Sequence, residues 1–152
     1  MIIISAMSKD KFIGSGDGMP WNVPEEYAQF LRFVDGQAVV MGRKSFEIFG
    51  QDMKTTENFV ITRSADGIEG ATVCGSIEEA VEKAVATGKT VFSAGGGSIY
   101  DQTIPLADTM YLSFIKGDFT GDTKFPEFDE NEWDVEKRED HAGFEFVVYK
   151  RK

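Results

Sequence analysis

The stretch Gly16-Asp-Gly-Met-Pro-Trp-Asn-Val-Pro-Glu-Glu26 holds the residue types best suited to chemistry: a glycine-bearing loop, a tryptophan, and two adjacent carboxylates at the start of a helix. Pro24 opens that helix, where its missing N–H costs nothing because first-turn donors are unpaired anyway. From Pro24 to Val34 the apolar residues Tyr27, Phe30, Leu31, Phe33 and Val34 recur at helical spacing, while Glu25, Gln29 and Arg32 form a polar stripe. Glu26 falls instead in line with Phe30 and Phe33, on the face that turns inward. Two readings of it stand: a rim carboxylate favoured by the helix dipole, or a single pocket acid whose pKa burial raises and the dipole lowers.

Two further segments carry residues suited to an anion. Gly42-Arg43-Lys44-Ser45 precedes a helical run ending at Phe49, and two cations in a first turn oppose the helix dipole. Either they are solvated, or an anion bound at that N-terminus resolves the conflict. Gly95-Gly-Gly97 follows the buried strand Thr90–Ala94 and leads into a helix beginning Ser98-Ile-Tyr100, a suitable cradle for a pyrophosphate. It is not the Rossmann fingerprint, because Tyr100 stands where Gly or Ala is required and no acid-bearing strand follows at the right distance.

Composition narrows the classes. With 152 residues, 41% of them hydrophobic, the chain suits one domain spanning 1–152 with a sizeable core. The apolar start Met1-Ile-Ile-Ile lacks the basic flank of a signal peptide, and no apolar run is long enough to span a bilayer. A net charge of −10 argues against nucleic acid or an anionic membrane as partner, and requires the few cations to cluster around any anionic ligand. Cys74 is the only cysteine, so no disulfide and no thiolate metal site is expected, which suits a reducing cytoplasm. His141, the only histidine, falls in a turn and is expected at the surface rather than in catalysis.

The frame is legible in order. Met1–Met7 is a continuous apolar run, as in a central strand buried on both faces, and Ser8–Gly18 reads as a loop. Ala38-Val-Val-Met41, Asn58–Thr62, Ala71–Cys74, Thr90–Ala94 and Asp108–Ile115 read as strands, and Ser76-Ile-Glu-Glu79 as a capping box opening a scaffold helix. Segments near Trp133–Glu139 and Gly143–Tyr149 form a terminal hairpin. The expected architecture is a single α/β domain: a mainly parallel twisted sheet of about eight strands, a C-terminal antiparallel hairpin and about four flanking helices.

Met19-Pro-Trp-Asn-Val-Pro24 with an acid and then Phe30, followed by Met41-Gly-Arg-Lys-Ser-Phe46 and the Gly95-Gly96 pair, resembles the dihydrofolate reductase family over essentially the whole chain. The resemblance implies NADPH-dependent reduction of 7,8-dihydrofolate to tetrahydrofolate, a hydride passing to pterin C6 and a proton to N5. It implies catalytic roles for Glu26, Trp21 and Ser113, the last as the hydroxyl bonded to the acid. It places the pterin against Ile4, Ser5, Ala6, Glu26, Tyr27, Phe30, Phe49 and Ser113. For NADPH it implies Ala6, Ile13, Gly14 and Met19 on the nicotinamide side, Gly42, Arg43, Lys44, Ser45, Thr62 and Arg63 on the phosphate side, and a turn made by Ala94, Gly95, Gly96, Gly97, Ser98, Ile99 and Tyr100. Thr123, in Gly121-Asp122-Thr123, resembles the loop that braces the one over the cofactor. A small-molecule substrate, a monomer and the cytoplasm complete the expectation, with no metal.

The match departs from the family at the tail of the substrate. Thr56 stands where an arginine normally grips the folate α-carboxylate, a contact contributing roughly 1.5–3 kcal/mol; Lys54 and Arg32 are the substitutes within reach in sequence. Ala94 and Ser98 likewise replace a larger aliphatic and a basic residue. The alternatives are an NADPH reductase for another pterin or for a riboflavin-pathway pyrimidine, and a non-catalytic pterin- or nucleotide-binding protein.

Overall fold

The computed structural model describes residues 1–14, 18–64 and 66–152. The glycine loop singled out above therefore falls partly, at 15–17, outside the described residues. In chain order the elements are β1 (Ile2–Ser8), β2 (Phe12–Gly14), α1 (Pro24–Val34), β3 (Ala38–Gly42), α2 (Arg43–Phe49), β4 (Glu57–Ile61), β5 (Thr72–Cys74), α3 (Ile77–Ala86), β6 (Val91–Ser93), α4 (Gly97–Thr103), β7 (Thr109–Ile115), β8 (Thr123–Lys124), β9 (Trp133–Asp140) and β10 (Phe144–Arg151). A short 3₁₀ turn, Gly50–Asp52, extends α2.

Eight strands form one sheet in the order β5-β4-β3-β6-β1-β7-β10-β9, parallel except that β10 runs antiparallel to both neighbours. This is the single α/β domain expected from the sequence. β1 pairs with β6 on one side and β7 on the other, so both its faces are covered, which is why it reads as an unbroken apolar run. Its alternate residues divide between layers: Ile3 and Met7 pack with Tyr100, Ile104 and Leu112, whereas Ile4 packs with Val34, Met41 and Phe92. On β3, Val39 and Met41 meet the α1 side while Ala38 and Val40 meet Ala80 and Ala84 of α3. Helices thus cover both sheet faces, and the loops at the carboxyl ends of β1, β3, β4 and β6 are left to surround a ligand, the usual place for one in an open α/β sheet.

One segment differs from the sequence reading. Phe12–Gly14, expected inside a loop, is a strand, paired antiparallel with Thr123–Lys124 in a separate two-stranded sheet. Its partner lies more than a hundred residues away, and three residues are too few to show an alternation. The pairing is tight: the Asp122 N–H donates to the Gly14 carbonyl at 2.8 Å, and any Cβ at Gly121 would overlap that same carbonyl oxygen. His141 also differs from its expected surface position. It is half-buried, stacked on Phe144 at 4.4 Å, with Nδ1 3.2 Å from a Glu25 carboxylate oxygen, so it ties the hairpin turn to the start of α1.

Candidate active site

Pro24 and the two acids of the first turn start α1 without a side-chain cap at Val23. The helix buries Glu26 to 6% exposure while Glu25 stays exposed, so the two carboxylates separate as the spacing required. Glu26 reaches Ser113 of β7, whose hydroxyl hydrogen-bonds the carboxyl. Ser113 is itself buried, in register with Ala6 of β1 and Phe146 of β10. Burial pushes the Glu26 pKa from 4.5 up to about 7, against the smaller lowering effect of the Ser113 hydrogen bond. Of the two readings of Glu26, the geometry is that of the pocket acid.

Glu26 lines a cavity of about 730 Å³. Its walls at that end are Ile4, Ser5 and Ala6 from β1, Tyr27 and Phe30 from α1, and Ile48 and Phe49 from α2. Tyr27, Phe30 and Phe49 contact one another at ring-centroid distances of 5.8–6.1 Å. The Tyr27 hydroxyl donates to Asp52 at 2.6 Å. Burial raises the Tyr27 pKa, and Asp52 adds to it through the hydrogen bond and its charge.

At the other end the same cavity takes in Gly42, Arg43, Lys44 and Ser45 at the start of α2, and Thr62 and Arg63 after β4. The turn Ala94–Tyr100 lies between the two ends, with a cis peptide joining Gly95 to Gly96 and φ of +95° at Gly95, a region that favours glycine. A Cβ at Gly95 would stand 3.0 Å from the Tyr100 ring. Tyr100 is buried and donates its hydroxyl to the Ile4 carbonyl at 2.7 Å, tying this turn to β1. Burial raises its pKa, the Ser5 hydrogen bond opposes that, and the charge of Glu26 reinforces it. Ile13 and Gly14 of β2, Met19 and Thr123 complete the lining on the loop side.

Nearly every residue expected at the site therefore meets in one cavity. Two do not line it. Ser113 stands behind Glu26, and Trp21 packs with Ile115, Phe144 and Phe146, its ring edge-on to Phe119 at 6.1 Å. Sequence reasoning missed Ile48 and Ile61, and also Gly75, Ser76, Ile77, Glu78 and Gln102, which add to the lining. The capping box at Ser76 was the available signal: its hydroxyl accepts from the Glu79 N–H at 3.1 Å, marking a helix start beside a strand end. At the tail end, the Thr56 hydroxyl is turned to the Met53 carbonyl at 2.9 Å and the Asn58 side chain at 2.7 Å. Neither substitute cation lines the cavity: Lys54 lies in a neighbouring groove with Glu47 and Glu69, and Arg32 is exposed on α1.

A parallel sheet with a glycine turn, a cationic helix start and one buried acid around a single cleft defines a reductase-type α/β fold built to hold an extended anionic ligand beside a proton donor. The chain belongs to the dihydrofolate reductase family, whose model matches residues 1–151. It is 32% identical to the dihydrofolate reductase of Bacillus subtilis (strain 168) over 158 residues, covering 98% of this chain and 93% of that one. It is 34% identical to the dihydrofolate reductase HdrB of Haloferax volcanii over 161 residues, covering 99% and 83%. Among solved structures it resembles the Enterococcus faecalis dihydrofolate reductase complexed with NADP(H) and RAB-propyl, with a TM-score of 0.88, 27% identity and coverage of 99% and 95%. No helix among the described residues is long and apolar enough to cross a membrane.

Proposed function

We propose that the chain reduces 7,8-dihydrofolate to 5,6,7,8-tetrahydrofolate with NADPH, supplying one-carbon metabolism, and that it acts as a monomer in the cytoplasm. The observation that carries this is a buried carboxyl, the only one among the described residues, its pKa pushed up to about 7, in the same cavity as the Arg43-Lys44 helix start and the Gly95–Gly97 turn. The residues fit the cofactor: in a chain of net charge −10, Lys44 and Arg63 line the cavity and, among the described residues, take part in no ion pair, so cations stand ready for phosphates. Gly95 and Gly97 let the turn pack closely on Tyr100 and Thr123, which a Cβ at either would approach to 3.0 and 3.1 Å, and so hold it at the cavity wall.

NADPH, when bound, supplies the hydride. Arg43, Lys44, Ser45, Thr62 and Arg63 hold its phosphate side, the turn from Ala94 to Tyr100 its middle, and Ala6, Ile13, Gly14, Met19 and Thr123 its reactive end. Ile4, Ser5, Tyr27, Phe30 and Phe49 enclose the pterin and exclude water, while Glu26, oriented by Ser113, bonds its ring edge and delivers the proton that N5 needs. A pKa near 7 keeps a useful fraction of Glu26 protonated at neutral pH. Trp21 fixes the approach to α1 from within its packed cluster. The buried, unpaired Cys74 suits a reducing compartment, and the exposed large apolar residues Val85, Leu106 and Val135 lie on separate elements, as on a monomer surface.

The test is loss of NADPH absorbance on adding dihydrofolate, for the wild type and Glu26→Gln. Turnover by the wild type, cut about a hundredfold or more at neutral pH in Glu26→Gln with NADPH affinity preserved, is the expected result. Equal turnover by the two proteins removes Glu26 from the chemistry.

A further inference from the structure

The cations lining the cavity are gathered at one end, where Glu78 accompanies them. Among the described residues these cations are Arg43, Lys44 and Arg63, and Glu26 is the only charged residue among those that wall the other end. A substrate reduced beside Glu26 would extend its remaining length outward past Tyr27 and Phe49. There the hydroxyl of the wall residue Tyr27 is bound to Asp52, an exposed acid outside the cavity lining, which joins α1 to the 3₁₀ turn after α2 and sets a carboxylate one hydrogen bond from that wall. The three rings of Tyr27, Phe30 and Phe49 already touch across this gap. The Thr56 hydroxyl is committed to Met53 and Asn58, and Lys54 lines the next groove with Arg43, Glu47 and Glu69.

Resting on the proposed reductase activity, we propose that the Tyr27–Asp52 contact makes the outer end of the substrate site select against an anionic tail, so that dihydropterins with a neutral 6-substituent are reduced as readily as dihydrofolate. A folate tail brings two carboxylates toward Asp52 with no cation lining the cavity there to offset them. Like charges at a partly solvated edge repel modestly, by a factor of about three to ten in binding. The aromatic walls remain suited to a flat, neutral substituent.

The experiment compares kcat/KM for 7,8-dihydrofolate and for 7,8-dihydro-6-methylpterin, with NADPH saturating, in the wild type and in Asp52→Asn. Taking the ratio of the two substrates cancels any uniform loss through folding or cofactor binding. The expected wild-type ratio lies within about tenfold of one, and Asp52→Asn raises it about three- to tenfold through KM for dihydrofolate. Added salt raises the wild-type ratio and moves that of Asp52→Asn less, which a merely structural role for Asp52 would not produce. A wild-type preference for dihydrofolate beyond about tenfold, or a ratio unmoved in Asp52→Asn, overturns the inference while leaving the reductase activity standing. NADPH oxidation with neither substrate overturns both.

Discussion

Replacing Glu26 by glutamine tests whether this carboxyl is held against its ordinary protonation preference. In the folded protein burial lifts its pKa to about 7, whereas in the unfolded chain it ionises near 4.5. Between those values the folded state holds a proton that the unfolded state has lost. Because the folded state then binds more protons, the stability of the ligand-free protein falls as pH rises from 4.5 to about 7, and the loss is complete above that. The interval from 4.5 to about 7, at about 1.4 kcal/mol per pH unit, amounts to about 3 kcal/mol. Glutamine keeps the shape and a partner for the Ser113 hydroxyl but does not titrate. Glu26→Gln is therefore expected to gain on the wild type by up to about 3 kcal/mol between about pH 4.5 and pH 8. Urea unfolding followed by tryptophan fluorescence reads this as a midpoint gap that widens by about 1–2 M, for a slope near 2 kcal/mol/M. Other ionisable groups are common to both proteins and cancel in the comparison. A gap of the same size at both ends of the range refutes the reasoning.

Two further outcomes are expected. Arg43→Ala should lower the preference for NADPH over NADH by about tenfold or more, the loss of a charge-assisted phosphate contact; an unaltered ratio of kcat/KM for the two cofactors moves the phosphate site elsewhere. Gly121→Ala forces its Cβ onto the Gly14 carbonyl and should separate β2 from β8, costing about 2 kcal/mol and raising KM for NADPH. Hydrogen exchange checks it directly, since the Asp122 amide, bonded to Gly14 in the wild type, should lose its protection.

The sheet was legible in the sequence because its strands carry their own signal. Ile2–Ser8 and Ala38–Gly42 are apolar on both faces, α3 announces itself with Ser76 and Glu79, and the α1 pattern separated Glu26 from Glu25. The β2–β8 pair was not legible, because Thr123 and Lys124 are exposed and both their backbone pairing and the contact of the Lys124 ammonium with the Phe12 ring, at 4.9 Å, reach a segment distant in sequence. The half-buried place of His141 follows from stacking on Phe144 and contact with Glu25, a tertiary arrangement without a local pattern. At the cavity, residue chemistry found the glycine turn and the cationic helix start. It did not find Gly75–Glu78 and Gln102, since a capping residue serves its own helix whether or not a cleft lies beside it. The Tyr27–Asp52 contact was invisible for a related reason: nothing in a 3₁₀ turn's composition says which helix its acid will meet.

The position of β10 bears on how the protein is made. It follows β9 in sequence yet sits between β7 and β9 in the sheet, with Phe146 opposite Ser113 on β7 and opposite Glu139 on β9. While a ribosome is still adding residues 144–151, β7 has no hydrogen-bonding neighbour on that side, and Trp21 and Ile115 lack the cover of Phe146 and Val148. The wall that backs Glu26 through Ser113 is thus closed only once residues 144–151 have been added, so a nascent chain carries a sticky, unzipped flank on β7 until then.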